Sequence, residues 1–242
     1  MAGHSKWSNI KRKKEKTDAQ RAKIFTKMGR EISVAVRESG PDPASNGKLR
    51  EIIAKAKAQN VPNDNIERAI KKAGSDKAEY EQILYEGYGP GGVAVMVDCL
   101  TDNRNRTAGD LRHYFDKYGG NLGQTGSVGY LFERKGVIVM ENIGLDEAQV
   151  LEDCLEAGAL DCQFEQEVVE IITQPEDTQA VREALAKSGH RFESAQAEYI
   201  PSTYVKLDED NTACMDKLLE LLEASDDVSE VWHNWENTQD GN

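Results

Sequence analysis

Lys6, Lys11, Arg12, Lys13, Lys14, Lys16, Arg21, Lys23, Lys27, Arg30 and Arg37 crowd the opening of this 242-residue chain, opposed only by Glu15, Asp18 and Glu31. Cations at this density repel one another in any packed state. They must be solvated or neutralised by a polyanion, and a nucleic-acid backbone is the commonest polyanion a protein meets. A solvated terminus is the competing reading, because charge runs at chain ends are often soluble tails. The contrast within the chain weighs against it. Residues 1–80 hold 19 basic and 10 acidic side chains, a net of +9, whereas the remainder holds 11 and 33, a net of −22. The expected nucleic-acid contacts are therefore Lys6, Trp7, Lys11, Arg12, Lys13, Lys14, Lys16, Arg21, Lys23, Lys27 and Arg30. Trp7 beside Lys6 can stack on a base or pin the arm against a helical domain.

A second basic spot, Asp102 to Thr107, places Arg104 and Arg106 at the expected start of a helix, where the macrodipole disfavours cations. An anion there would be held by both arginines and by free backbone N–H groups, which makes the segment a phosphate-binding candidate. Pairing with surface carboxylates is the alternative. Other chemistry finds little support. The glycine-rich stretch Gly119 to Gly129 has no lysine for a phosphate and follows a helix rather than a strand, and Gly87 to Gly92 reads as a tight turn around Pro90. There is no nucleophile elbow, and the pair Asp226-Asp227 has no histidine beside it in sequence. Cys99, Cys154, Cys162 and Cys214, like the four histidines, lack the close spacing of zinc or redox motifs. The chain is expected to be no enzyme, with no catalytic residue, no metal site and no cofactor.

The elements that must position these cations follow from periodicity. Thr17 or Asp18 can cap a helix whose apolar residues Ile24, Phe25, Met28, Ile32, Ala35 and Val36 recur at helical spacing, with Gly40 beyond its end. Lys23, Lys27, Arg30 and Arg37 share a second stripe of that helix, since steps of four, three and seven return to nearly the same face. A helix starting at Asp42-Pro43 with Leu49, Ile52, Ile53 and Ala56, and another from Pro62 or Asn63 with Ile66, Ala69 and Ile70, complete a small helical domain. From Glu81 the period changes to that of strands: 83–88 and 93–100 flank the glycine-rich turn, a helix spans 105–118, and 128–132 reads as a strand.

Next come strand 137–141, helix 146–157, strands 162–166 and 168–173, helix 176–188 and strand 192–199, the βαββαβ order of a ferredoxin-like unit. Lifting it out leaves strand 93–100, helix, strand 128–132, strand 203–207, helix 212–224 and strand 229–235, the same order again. The expected fold is α+β: an N-terminal three-helix domain followed by two ferredoxin-like α/β domains, one inserted in the other. The boundaries are 1–80 for the arm and helices, 81–134 plus 201–238 for the discontinuous domain, 135–200 for the insert and 239–242 for a frayed tail. A single continuous mixed sheet is the alternative. Trp232 and Trp235 sit an odd number of residues apart in the last strand, so they should face opposite sides.

Ala2-Gly3-His4-Ser5-Lys6-Trp7 with Ile10-Lys11 resembles the N-terminal signature of the YebC/PmpR family. Gly87-Tyr88-Gly89-Pro90-Gly91-Gly92, Asp102-Asn103-Arg104-Asn105-Arg106-Thr107, Asn121-Leu122-Gly123 running into Gly126-Ser127-Val128, and Val231-Trp232-His233-Asn234 match its pattern too. The resemblance spans essentially the whole chain. It implies a DNA-binding regulator of transcription in bacteria. The mitochondrial relative, a translational activator of cytochrome c oxidase, implies instead a ribosome-associated factor that binds ribosomal RNA while its acidic body meets basic ribosomal proteins. A third reading is an acidic scaffold for basic partner proteins.

No apolar run approaches the roughly 20 residues of a membrane span. The opening lacks the apolar core of a secretory signal, and the family signature starting at Ala2 leaves no room for a presequence. The expectation is a bacterial-type cytoplasmic, non-catalytic nucleic-acid-binding regulator of gene expression without a membrane partner.

Overall fold

The computed structural model describes residues 18–58, 61–74 and 78–236, without the side chains of 18–22 and 58. The expected contacts Lys6, Trp7, Lys11, Arg12, Lys13, Lys14 and Lys16 lie outside the described residues, as do the Arg21 side chain and the tail 239–242. In chain order the elements are α1 (Asp18–Ser39), α2 (Gly47–Ala58), α3 (Asn63–Ala73), β1 (Glu81–Tyr88), β2 (Ala94–Thr101), α4 (Arg104–Lys117), β3 (Asn121–Leu122), β4 (Phe132–Glu141), α5 (Glu147–Ala157), β5 (Asp161–Phe164), β6 (Val168–Thr173), α6 (Thr178–Lys187), β7 (Ser194–Pro201), α7 (Glu209–Ala224) and β8 (Val228–His233). The fold is α+β, with an N-terminal helical region and two four-stranded antiparallel sheets. Among the described residues, 131–204 with Glu236 form one compact unit, and 18–130 with 205–235 form the other. No described helix is long and apolar enough to cross a membrane.

The stripes of the three N-terminal helices pack as their spacing requires, Met28, Ile32, Ala35 and Val36 of α1 meeting Leu49, Ile52 and Ala56 of α2 and Ile66 and Ala73 of α3. Helix α2 starts later than Asp42. The Asp42 side chain accepts from Ala44 N at 3.0 Å and closes a turn, and the buried Asn46 supplies the cap. Its Oδ1 accepts from Leu49 N at 3.0 Å, while its Nδ2 donates to Ala35 O and Gly40 O, both at 2.8 Å. Asn46 thus satisfies orphan groups at the end of one helix and the start of the next.

In the larger unit the sheet order is β3-β1-β2-β8. β1 and β2 pair from Tyr88↔Ala94 to Glu81↔Thr101 around a 3-10 turn at Pro90–Gly92, where Gly91 and Gly92 adopt positive φ of 65° and 80°. Helices α4 and α7 cover one face, so that Val93, Val95, Val97 and Cys99 pack with Leu111, Phe115, Met215, Leu218, Leu219 and Leu222. Trp235 belongs to this core, whereas Trp232 is half-buried.

Two expected strands are absent from this sheet. Residues 129–131 form a 3-10 turn, because the N–H groups of Gly126, Val128 and Gly129 donate to the Glu86 carboxylate at 2.8, 2.8 and 2.6 Å and are not available for a ladder. Segment 203–207 contributes only the isolated parallel bridge Val205↔Trp235. The slot that the βαββαβ order reserved for 203–207 is filled by β1, which the short hairpin turn delivers beside β2.

Burial alone would raise the Glu86 pKa, but the three backbone donors outweigh it and the net shift is downward. Glu86→Gln would leave one acceptor for three donors and turn an amide NH2 toward them. Charge-assisted hydrogen bonds are the strong ones, so the expected loss is about 1–3 kcal/mol. Urea denaturation checks the loss, and hydrogen exchange at Gly126, Val128 and Gly129 should quicken.

The smaller unit has sheet order β5-β6-β4-β7, with helices α5 and α6 on one face. Val150, Cys154, Val181 and Leu185 of those helices pack on Ile138, Met140, Val169 and Ile171. Strand β4 starts at Phe132 and pairs with β7 from Phe132↔Pro201 to Val139↔Ser194, so the ladder runs past 135–200 at both ends. Glu133 and Arg134, beside the expected boundary at 134/135, sit exposed on this paired strand.

Candidate nucleic-acid interface

Three cations of the α1 stripe are engaged inside the protein. Lys23 Nζ donates to Ala224 O at 2.9 Å, and Lys27 Nζ to Glu223 O at 2.7 Å. Both acceptors lie in the last turn of α7, where carbonyls lack intrahelical partners and the macrodipole is negative. Arg30 Nη1 donates to Asp226 O at 3.0 Å, Leu100 O at 3.3 Å and Asp227 Oδ1 at 2.5 Å, with the guanidinium 5.6 Å from the Tyr80 ring centroid. The stripe expected to face a phosphate backbone therefore fastens α1 to the end of α7 and the start of β8. An ammonium or guanidinium is drawn to a helix C-terminus for the same reason that it is drawn to phosphate.

Arg104 and Arg106 part company. Asn103 caps α4 by accepting from Arg106 N at 3.1 Å. Arg106 Nη2 donates to Asp227 Oδ2 and Asp102 Oδ1, both at 2.8 Å, so the alternative of carboxylate pairing describes it. Arg104 is exposed and makes no ion pair among the described residues; its carbonyl accepts from Tyr85 OH at 3.3 Å. Arg104→Ala should therefore leave stability within about 0.5 kcal/mol and remove about one phosphate contact's worth of salt dependence. Arg106→Ala should do the reverse, lowering the melting temperature with the salt slope unchanged. Paired thermal melts and binding titrations on the two variants check this split.

Asp227 is the residue that sequence reading undervalued. Besides Arg30 and Arg106 it accepts from Thr107 Oγ1 at 2.8 Å, and its side chain is only 8% exposed. Burial pushes its carboxyl up, but the hydrogen bonds from Arg106, Arg30 and Thr107 outweigh that and hold its pKa below the ordinary aspartate value. No local signal marks it, because its partners lie 197, 121 and 120 residues away in the chain. Lys55 is a second hidden junction, 3.4 Å from Glu31 and 3.2 Å from Glu230. Burial would lower its pKa, yet the two carboxylates carry the net shift upward.

The cations that remain outward on the helical region include Arg50 and Lys57 of α2 and Arg68 and Lys71 of α3. Sequence reading passed over them. Their signal was a spacing of seven in α2 and of three in α3, each returning to one helix face, the latter diluted by Asp64 and Glu67. The N–H cradle of the glycine-rich loop is filled by Glu86. Cys154 and Cys162, scattered in sequence, do meet, their sulfurs 3.7 Å apart. No group of three or more His, Cys, Asp and Glu that could hold a metal occurs among the described residues.

Comparisons with known proteins fit this geometry to a family. Residues 5–76 match the profile described as the TACO1/YebC protein N-terminal domain, and residues 80–235 that of the TACO1/YebC second and third domain. A protein of Caldicellulosiruptor bescii named "Probable transcriptional regulatory protein" is 58% identical, the alignment covering 99% of this chain and 100% of the relative. One of the same name from Finegoldia magna is 56% identical over 98% and 100%. The crystal structure of a conserved hypothetical protein from Aquifex aeolicus superposes with a TM-score of 0.80 at 50% identity, covering 91% of this chain and 92% of that one.

Proposed function

The chain belongs to the TACO1/YebC family, and from that premise we propose that it is a non-catalytic, DNA-binding regulator of transcription acting in the cytoplasm. The observation that carries the reading is the division of its cations. Lys23, Lys27, Arg30, Lys55 and Arg106 are used internally; in the sequence, Lys6, Lys11, Arg12, Lys13, Lys14 and Lys16 are concentrated in a short segment ahead of α1. That arm is the principal phosphate contact in this reading, with Arg104 and the outward cations of α2 and α3 as auxiliaries. Backbone contacts of this kind position a protein on a duplex without reading its sequence. Specificity then comes from DNA shape or from a partner.

One observation favours ribosomal RNA as a second reading. Residues 131–204 carry five basic against sixteen acidic side chains, a net of −11, which suits surroundings rich in basic proteins. A pulldown of the full chain from lysate treated with DNase, RNase or neither separates the readings. Loss of co-purifying partners after DNase supports transcription, and loss after RNase moves the site to the ribosome. Indifference to both nucleases would sink the nucleic-acid reading and leave an acidic scaffold.

A further inference from the structure

Exposed apolar side chains are gathered in one place. Among the described residues five large ones are open to solvent, and four of these, Ile143, Leu151, Leu155 and Leu160, fall within 18 residues of the smaller unit at 75, 45, 69 and 51% exposure. Single exposed leucines are ordinary, but a group of them marks a contact surface. Helix α5 explains how they come together. It buries Val150 and Cys154 against the sheet, while Leu151 and Leu155, four residues apart, share a flank. Asp153, two residues from each leucine and so on the other side of the helix, meets His190 beyond α6 at 2.7 Å. The leucines are therefore turned away from α6. At the end of α5 Gly158 takes a φ of 86° and reverses the chain. Leu160, whose N–H donates to Ile172 O at 2.7 Å on entry to the edge strand β5, thus lies at the same end of the helix as Leu155. Ile143 stands at the opposite end, in a loop that Asn142 ties to the β5–β6 turn by donating from Nδ2 to Glu165 O at 2.7 Å.

The charge around this flank selects its occupant. Between Lys135 and Arg182 the chain holds twelve Asp and Glu and no Lys or Arg, and Glu147, Glu152 and Glu156 are exposed on α5 itself. The lysine and arginine stems that commonly cover apolar surface are missing from the segment. Two copies meeting through this flank would set the glutamates of one against those of the other, and an anionic lipid surface or a nucleic acid would be repelled in the same way. We propose that the α5 flank docks a cationic amphipathic helix of a partner protein. Apolar residues of that helix, spaced by three and four, cover Leu151, Leu155 and Leu160, and its Lys and Arg meet Glu147, Glu152 and Glu156. The site goes beyond the nucleic-acid reading and does not rest on it, because that reading concerns cations outside this segment.

The probe is a fluorescein-labelled helical peptide of about 18 residues built from Leu and Lys, with Leu on one face; a second peptide has Glu for Lys, and a third keeps the composition with Leu scattered. Each is titrated into the full chain, freed of nucleic acid by nuclease and high salt and returned to low salt, with amide chemical shifts mapping the contact. The expected result is saturable binding of the first peptide, at least severalfold tighter than of the other two, with shifts centred on residues 143 and 147–160. Leu151→Ser with Leu155→Ser should weaken it about tenfold or more, since two leucines lose their burial, and Glu152→Gln with Glu156→Gln severalfold, both at an unchanged melting temperature. No binding, shifts spread over the whole acidic surface, equal binding of the other peptides, or equal affinity of the leucine variant would overturn the proposal. So would self-association of the full chain that the leucine pair abolishes, which would give the flank to a second copy. With no nucleic acid in the sample, such a failure leaves the binding reading untouched.

Discussion

Deleting Met1 to Lys16 should weaken binding to a duplex oligonucleotide about 100-fold or more at about 150 mM salt, while the helical circular-dichroism signal survives. The deletion removes Lys6, Lys11, Arg12, Lys13, Lys14 and Lys16, six cations within 11 residues of one another. Counterion release makes each phosphate contact steeply valuable as salt falls, so losing even half of six contacts reaches this magnitude. Helicity should persist because the apolar stripe that holds α1 to its neighbours begins with Ile24 and Phe25. Unchanged affinity would make the arm a solvated tail. A collapsed helical signal would place Trp7 and Ile10 in the core of the helical region instead.

Asp227→Ala should cost about 3–5 kcal/mol in urea denaturation, the largest loss expected from any single change described above. The substitution strips Arg30, Arg106 and Thr107 of a common acceptor and leaves the Arg30 guanidinium, 18% exposed, without its carboxylate. Asp227→Asn keeps the shape and should lie between. The pH dependence has a definite sign. Since the folded pKa of Asp227 is lowered, its contribution is fully present above the unfolded value of about 3.9 and is lost as pH falls through the folded one. Glu86, also lowered, adds in the same direction. Wild-type stability should therefore decline below about pH 5, and the decline should be shallower in Asp227→Asn. Equal slopes would mean that the cluster does not hold α1, α4 and β8 together.

Much of the fold was legible because it is local. The stripes of α1, α2 and α3 could be read from spacing, and the βαββαβ order of the smaller sheet from alternating periods and turns. The place of β1 was not, since a hairpin states which two strands pair but not which outer strand completes the sheet. The strand expected at 128–132 failed for a related reason: its N–H groups answer to Glu86, some 40 residues upstream. The candidate site shows the same divide. A basic stripe announces that cations face something negative, yet Lys23, Lys27 and Arg30 met a helix C-terminus and Asp227 rather than phosphate. Charge pattern gives the chemistry of a partner; whether that partner is internal depends on contacts close to 200 residues away.

The most direct measurement is the salt dependence of full-chain binding to a fluorescent duplex of about 30 base pairs, followed by anisotropy between about 50 and 200 mM salt. Six arm contacts at about −0.9 each predict a slope of log K against log salt near −5, little changed by the sequence of the duplex. No binding at the lowest salt, or an affinity indifferent to salt, would contradict the assignment of the arm to a nucleic-acid backbone.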